Sequence, residues 1–239
     1  REVKRMMEYV GYEVIKLNRE GIGNLTTKGL YQGQYRRLTK EEVKELYDLN
    51  ETLAKPLLEG LTYPWEALPK IGDFIKELGQ TLPKDVYEEV EENVWIAKSA
   101  KIYPNNYIAG PCIIGENTEV RPGAFIRGNA LVGNDCVVGN STELKNVILF
   151  NHVQVPHYNY VGDSILGYKA HMGAGSITSN VKSDKTLVTV KIDDQKQETG
   201  LKKFGAMLGD NVEVGCNSVL NPGTNIIRQQ RILSTAMHK

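Results

Sequence analysis

Residues 114–138 read Ile114-Gly115-Glu116-Asn117-Thr118-Glu119-Val120-Arg121-Pro122-Gly123-Ala124-Phe125-Ile126-Arg127-Gly128-Asn129-Ala130-Leu131-Val132-Gly133-Asn134-Asp135-Cys136-Val137-Val138, with an aliphatic residue at every sixth place. The same phase extends outward to Ile96, Ile102 and Ile108 on one side and to Leu144 and Phe150 on the other, ten positions without a miss. With 41% of the chain hydrophobic, ten chance matches in phase have a probability under about 1%. A period of six suits neither the 3.6 of a helix nor a plain alternating strand; it suits a solenoid in which three short strands make one triangular coil. The residue four places after the aliphatic is small at Ala100, Cys112, Thr118, Ala124, Ala130, Cys136 and Thr142, as a tight inward corner requires, and Gly115, Gly133 and Gly139 follow it where open backbone geometry is cheap. The expected fold is mainly β, a left-handed parallel β-helix over residues 91–239.

A second phase begins at Leu166 and Met172; the period is lost between about 181 and 204 and resumes at Leu208, Val214, Leu220, Ile226 and Ile232. Within the gap, Thr186 to Ile192 alternates like a strand, Asp193-Asp194 can turn, and Gln195 to Thr199 can return, which predicts a hairpin loop extruded from the coil. Arg228 to Arg231 replace the usual small residues, so the last coil is expected to be irregular or to cap the open edge. Residues 1–90 lack the period and read as a helical N-terminal segment. Thr39 and Glu42 make a capping box ahead of Val43, Leu46, Leu49, Leu53 and Leu57, predicting a helix over about 39–59 with a possible kink at Pro56. Pro64 to Leu68 opens a second amphipathic segment through Ile71, Phe74, Ile75 and Leu78; residues 11–36 read as loop and short helix.

Composition narrows the function classes. Twenty-nine basic residues balance twenty-nine acidic ones, so no net charge draws the chain to nucleic acid. No apolar run approaches the roughly 20 residues of a membrane span, and no signal-like apolar core follows Arg1 to Arg5, which makes the cytoplasm the expected location and the membrane an unexpected partner. Cys112 and Cys136 fall in inward slots of the repeat and, with Cys216, read as free thiols.

A rod of this kind has little concave surface, and sites on such rods form between neighbours; a homotrimer is therefore expected. The richest chemistry lies in Pro156-His157-Tyr158-Asn159-Tyr160-Val161-Gly162-Asp163-Ser164 and, further on, from His171 to Asn180. These groups can move protons and orient an amide-forming transition state, and Arg121 and Lys145, on separate coils, can converge on an anion.

From about Val94 to Leu220 the chain resembles the C-terminal acetyltransferase domain of the bifunctional enzymes that make UDP-N-acetylglucosamine, the glucosamine-1-phosphate N-acetyltransferases. The resemblance is carried by Arg121-Pro122-Gly123-Ala124, Thr142-Glu143-Leu144-Lys145, Pro156-His157 with Tyr160-Val161-Gly162-Asp163, Gly173-Ala174-Gly175, Asn180, Leu208-Gly209-Asp210 and Val214-Gly215. It implies transfer of an acetyl group from acetyl-CoA to the amine of glucosamine 1-phosphate. His157 would be the general base, Asn180 would donate to the substrate or to the developing oxyanion, and Arg121, Lys145 and Tyr160 would hold the sugar phosphate. Ala174 and Cys216 would touch acetyl-CoA. The family has asparagine where this chain has His171, and a phosphate-binding lysine where this chain has Thr186, with Lys185 one place early; His171 and Lys185 are the corresponding substrate-binding candidates. The connector before the family's β-helix resembles Tyr63-Pro64-Trp65-Glu66. No glycine-rich nucleotide-binding start is present, and about 90 residues are too few for a doubly wound domain, so uridylyl transfer is not expected.

Two other classes compete. The γ-type carbonic anhydrases share the fold and hold zinc with three histidines; His152 and His157 have the spacing of the later pair, but residues 112–122 contain no earlier histidine, and no metal site is assigned. The other class is a non-catalytic trimeric scaffold that binds a sugar phosphate without turning it over.

Overall fold

The computed structural model describes residues 21–22, 25–26, 46–192, 195–226 and 231–232. Contacts divide the chain into two compact units, Arg1–Arg37 and Leu38–Lys239. In the first, Gly21–Ile22 and Leu25–Thr26 pair antiparallel, where the sequence suggested loop and short helix.

The second unit is a parallel β-solenoid. Its inward side chains form three columns, one per face of the prism. The first face stacks Ile96, Ile114, Val132, Leu149, Leu166, Leu208 and Ile226. The second stacks Ile102, Val120, Val138 and Val155, then Met172, Val214 and Ile232. On the third, Ile108, Ile126, Leu144 and Val161 are followed by Thr178 and Leu220. Ile226 and Ile232 thus stay in register; residues 227–230 and 233–239 lie outside the described residues. The small corner residues point inward as expected. Thr118 and Thr142 satisfy their buried hydroxyls by donating to the Gly133 and Val155 carbonyls of the next coil, at 2.8 and 3.0 Å.

Two details of the repeat differ from the sequence reading. Most coils advance by 18 residues, but the contacts from Asn146 to Asp163 to Asn180 step by 17. Between Arg127 and Ala130 the corner from third to first face takes two residues, Gly128 and Asn129; between Lys145 and Val147 it takes Asn146 alone, and between Gly162 and Ser164 it takes Asp163 alone. The strands Glu143–Leu149 and Tyr160–Leu166 therefore run unbroken round the bend. As a result Leu149, not Phe150, occupies the tenth column position; Phe150 stands one place further on, beside Gly133 in the neighbouring coil, and is buried against Tyr47 at a ring separation of 5.0 Å. The second difference concerns Gly115, Gly133 and Gly139. None has a left-handed φ; that conformation falls to Asn117, Asp135 and Ser141 instead. These glycines are required by close stacking: a Cβ on Gly139 would stand 1.6 Å from the Pro156 carbonyl oxygen.

The gap in the period is an excursion between Thr178 and Ala206, and it carries the antiparallel hairpin Thr189–Ile192 with Gln195–Glu198. Val188 and Val190 are buried, and both lie close to Gly223 of the last described coil.

The segment before the coils is not the single helix expected over 39–59. Residues 39–45, with the Thr39–Glu42 capping box, lie outside the described residues. From Leu46 onward there is a 3-10 turn at Leu49–Glu51 and a single-turn helix, α1, at Lys55–Leu58. Tertiary hydrogen bonds explain the interruption. The Leu46 carbonyl accepts from the Asp210 N–H, the Asp48 N–H donates to the Asp210 carboxylate at 2.8 Å, and the Tyr47 hydroxyl donates to Ile165 O. Backbone committed to the coils cannot also run a helical ladder. Pro56 then falls in the first turn of α1, where its missing N–H costs nothing. The second amphipathic stretch is a 3-10 helix, Pro64–Lys70, containing Pro69, followed by helix α2, Ile71–Gly79.

These helices cover the first face. α2 lies against the strands at 112–114, 130–132 and 143–149, and the 64–70 helix lies against 160–166. The outward residues of that face, Trp95, Ile113, Leu131, Ile148, Ile165 and Met207, are consequently all buried. At about 1.5–3 kcal/mol for each large apolar side chain taken from water, this layer is a second core of the same order as the prism interior. The third face is bare: its outward row runs Tyr107, Phe125, Glu143, Tyr160, Ile177, Val219, with Tyr107, Phe125 and Val219 exposed at 59%, 41% and 58%.

Candidate functional site

The two shortened corners gather polar side chains along the edge between the third and first faces. Lys145 and Asn146 stand on one coil, Tyr160 and Asp163 on the next, Asn180 on the one after. Asp163 is nearly buried, with its side chain 7% exposed. Asn146 Nδ2 donates to its Oδ1 at 3.0 Å, Asn180 Nδ2 donates to its Oδ2, and Lys145 Nζ lies 3.6 Å from Oδ2. The Asn146 amide also donates to Leu68 O at 3.1 Å, which ties this edge to the 64–70 helix. The Tyr160 phenol lies over Gly162, where a Cβ would come within 2.5 Å of its oxygen. Burial, then the Asp163 and Glu143 carboxylates, hold the phenol above its ordinary pKa, opposed by the Asn180 amide and the charge of Arg127.

Arg121 is not in this group. It belongs to the second face, in register with Gly139 and Pro156, and pairs with Glu119 at 3.4 Å, so the expected convergence with Lys145 does not occur within the chain. The basic residue stacked directly below Lys145 is Arg127, which donates to Glu143 at 2.7 Å. Its signal was present in the sequence: Arg127 is one residue after Ile126, as Lys145 is one after Leu144, and those two aliphatics share a column.

His157 lies at the other edge of the third face, at the end of strand Gln154–His157 and in register with Asn140. Its ring is exposed and, among the described residues, accepts and donates no hydrogen bond; its backbone is fixed instead. The His157 N–H donates to Asn159 Oδ1 at 3.1 Å and its carbonyl accepts from the Gly175 N–H at 3.0 Å. Asn159, which sequence reasoning did not assign a role, is buried and donates to the Gly173 and Ser176 carbonyls at 2.8 and 3.1 Å, while Tyr158 makes the turn at φ 52°. The corner that presents His157 is therefore rigid although the ring is open.

The remaining candidates are dispersed. Ala174 and Cys216 stack on adjacent coils, with the Asn217 N–H donating to Ala174 O at 2.8 Å, and Cys216 is exposed. His171 is half-buried on the second face, between Gln154 and Glu213. Lys185 is exposed in the turn after Asn180, at φ 58°. His152 stands at the opposite end of its strand from His157 and faces Asp135 at 3.8 Å. No group of three or more His, Cys, Asp or Glu able to hold a metal ion occurs among the described residues. No described helix is long and apolar enough to cross a membrane.

The sequence is similar to several curated proteins. The bifunctional protein GlmU of Methanococcus aeolicus is 36% identical over 235 residues, covering 85% of this chain and 54% of that protein. A bifunctional sugar-1-phosphate nucleotidylyltransferase/acetyltransferase of Sulfurisphaera tokodaii is 31% identical over 94 residues, 39% of this chain and 23% of that one. The chain thus spans about half the length of the first of these relatives and less of the second. Among solved structures, a hexapeptide transferase family protein of Anaplasma phagocytophilum shares 19% identity over 61% of this chain and 81% of its own, with a TM-score of 0.37. The sequence model of one family, described as the GMPPB C-terminal domain, matches residues 108–238, which is more than half of the chain and takes in every candidate site residue above; the protein belongs to that family.

Proposed function

We propose that this solenoid transfers an acetyl group from acetyl-CoA to the amine of an amino-sugar phosphate, with glucosamine 1-phosphate as the favoured acceptor. The observation that carries the reading is the edge cluster of Lys145, Tyr160 and Asn180, with Arg127 stacked below. It offers ammonium, guanidinium, phenol and amide groups on one outward-facing strip, the donor set a sugar phosphate needs. The name of the Sulfurisphaera tokodaii relative, a bifunctional sugar-1-phosphate nucleotidylyltransferase/acetyltransferase, supports the same class.

In this reading Lys145, Arg127 and Tyr160 hold the phosphate and sugar. Arg127 takes the place first expected of Arg121 because only Arg127 shares the Lys145 column. The acceptor nitrogen attacks the thioester carbonyl, a C–N bond forms, and His157 Nε2 or Nδ1 takes the ammonium proton. Collapse of the tetrahedral intermediate breaks the C–S bond, and the proton passes from the imidazolium to the coenzyme sulfur. Ala174 and Cys216, on the same edge of the second face as His157, would contact the coenzyme; His171 and Lys185 flank the acceptor.

His157 and the Lys145 cluster occupy opposite edges of one face, separated by the Tyr160–Gly162 strand. One chain alone does not close a cleft around both. A cyclic trimer would bring the His157 edge of one protomer to the cluster of its neighbour, and the exposed row of Tyr107, Phe125 and Val219 supplies the apolar surface for such contact.

A second reading, a non-catalytic sugar-phosphate-binding scaffold, is favoured by the absence of any side chain orienting the His157 ring among the described residues. One assay separates the two: acetyl-CoA consumption with glucosamine 1-phosphate, then with a panel of amino sugars and amino-sugar nucleotides. Binding of a sugar phosphate without coenzyme consumption on any acceptor rejects catalysis.

A further inference from the structure

Asp163 stands at the centre of the edge cluster, against Lys145, Asn146 and Asn180. Its position is unusual on two counts. It forms a corner by itself, at φ 47°, and its carboxylate is almost fully removed from water while accepting two amides and facing an ammonium at 3.6 Å. A buried carboxylate is costly unless its oxygens are fully engaged. Here each oxygen accepts an amide, and the ammonium sits beside one of them. We propose that Asp163 is a positioning residue, fixing the Lys145 ammonium and the Asn180 amide so that the N–H groups they keep free face the bound sugar phosphate; this rests on reading the corner as a sugar-phosphate site.

The geometry specifies how. A primary amide carries two N–H bonds. One N–H of Asn180 is committed to Asp163 Oδ2, which leaves the other for a ligand. The ammonium of Lys145 is paired with Asp163 by charge at 3.6 Å, beyond hydrogen-bond distance, so its three N–H bonds stay available to a ligand. Asn146 completes the frame, because its amide links Asp163 Oδ1 to Leu68 O and so to the helices over the first face.

A carboxylate beside a phosphate-binding lysine has two opposed effects. It neutralises the lysine, which weakens anion binding, and it holds the donors in place, which strengthens it. Asp163→Asn separates them by sign. The substitution keeps size, and asparagine tolerates a left-handed φ, as Asn146 does in the equivalent corner. Removal of one negative charge about 6 Å from a phosphate would by itself tighten binding roughly threefold or more. Loss of positioning leaves amide donors facing the new amide, and binding weakens.

The test is calorimetry of the full chain with glucosamine 1-phosphate, comparing the parent with Asp163→Asn and Lys145→Ala. At least a tenfold loss of affinity in Asp163→Asn, comparable with the loss in Lys145→Ala, is expected. Unchanged or tighter binding overturns the proposal, whether Asp163 is then neutralising or purely structural. If the parent binds no sugar phosphate, the functional reading fails, and positioning is decided by a second measurement: hydrogen exchange of the Asn180 side-chain amide by NMR, its signal assigned by its disappearance in Asn180→Ala. A protected amide in the parent that loses protection in Asp163→Asn is expected; an amide exchanging at a surface rate in the parent overturns the claim.

Discussion

Gly139→Ala tests whether the corner that presents His157 controls the chemistry. The added Cβ would stand 1.6 Å from Pro156 O, 1.9 Å from its carbonyl carbon and 2.4 Å from its Cα. All three are backbone atoms, so no side-chain rotation relieves the overlap. An ordinary contact requires about 3.3 Å or more, and the coils must therefore part locally by more than an ångström. Overpacking of this kind costs about 1–3 kcal/mol, which for a chain of this size lowers Tm by roughly 2–12 °C. His157 follows Pro156 directly and moves with it. A misplacement of about 1 Å at a reacting group costs on the order of 10²-fold in rate. The control is Gly133→Ala, whose Cβ would meet the backbone of Phe150 and Asn151 at 2.7 Å, on a corner remote from His157 in the coil. Both proteins should lose stability, Gly139→Ala the more because its overlap is deeper, measured by thermal unfolding. Acetyl transfer per folded molecule, measured at saturating acetyl-CoA, should fall about a hundredfold only in Gly139→Ala. Equal activity in the two variants would refute the claim that the Pro156–His157 corner places the base.

Three other outcomes are expected. Arg127→Ala should weaken glucosamine 1-phosphate relative to free glucosamine by about tenfold, and Arg121→Ala should not; the reverse order in calorimetry would return Arg121 to the site. Burial pushes the Cys112 and Cys136 thiols up to about 12, so both remain neutral at pH 8, and brief treatment of the native protein with iodoacetamide should add a single label, at Cys216, by peptide mass analysis. Val219→Lys should shift the protein from trimer toward monomer in sedimentation at micromolar concentration, and a parent protein that sediments as a stable monomer would remove the shared-cleft model.

The repeat itself was legible because an inward column imposes the same demand on every coil: nine of the ten in-phase residues from Ile96 to Leu144 and Phe150 take the columns assigned to them. Phe150 was misplaced because a one-residue deletion in the corner at Asn146 shifts the phase without breaking the run of apolar residues; Leu149-Phe150 offers two candidates, and spacing alone selects the wrong one. The covering of the first face was also written in the chain. Ile113-Ile114, Leu131-Val132, Ile148-Leu149, Ile165-Leu166 and Met207-Leu208 are apolar at both the outward and the inward position, the pattern of strands buried on two sides, whereas Glu119-Val120 and Glu213-Val214 on the second face alternate. The break in the 39–59 helix was not legible, because it depends on Asp210, which lies over 160 residues away in the chain and captures the Asp48 N–H. In the candidate site, His157, Tyr160, Lys145 and Asn180 are candidates through motif resemblance, but only register sets Arg127 rather than Arg121 beside Lys145. The role argued for Asp163 depends on two single-residue corners that no local pattern announces.

The helices over the first face also set which lengths of rod are permissible. Successive coils rise by the strand spacing of about 4.8 Å, so inserting or deleting one moves everything beyond it by that amount. α2 and the 64–70 helix touch coils from 112–114 through 160–166, and their side chains are matched to that sequence of rungs as a ruler is to its marks. A coil added or lost inside that span would slide Trp65 off Phe204 and part Asn146 from Leu68. The chain should therefore accept new length where it already departs from the coil, in the excursion between Thr178 and Ala206, and should reject it between Cys112 and Leu166 even where the hexad pattern is preserved.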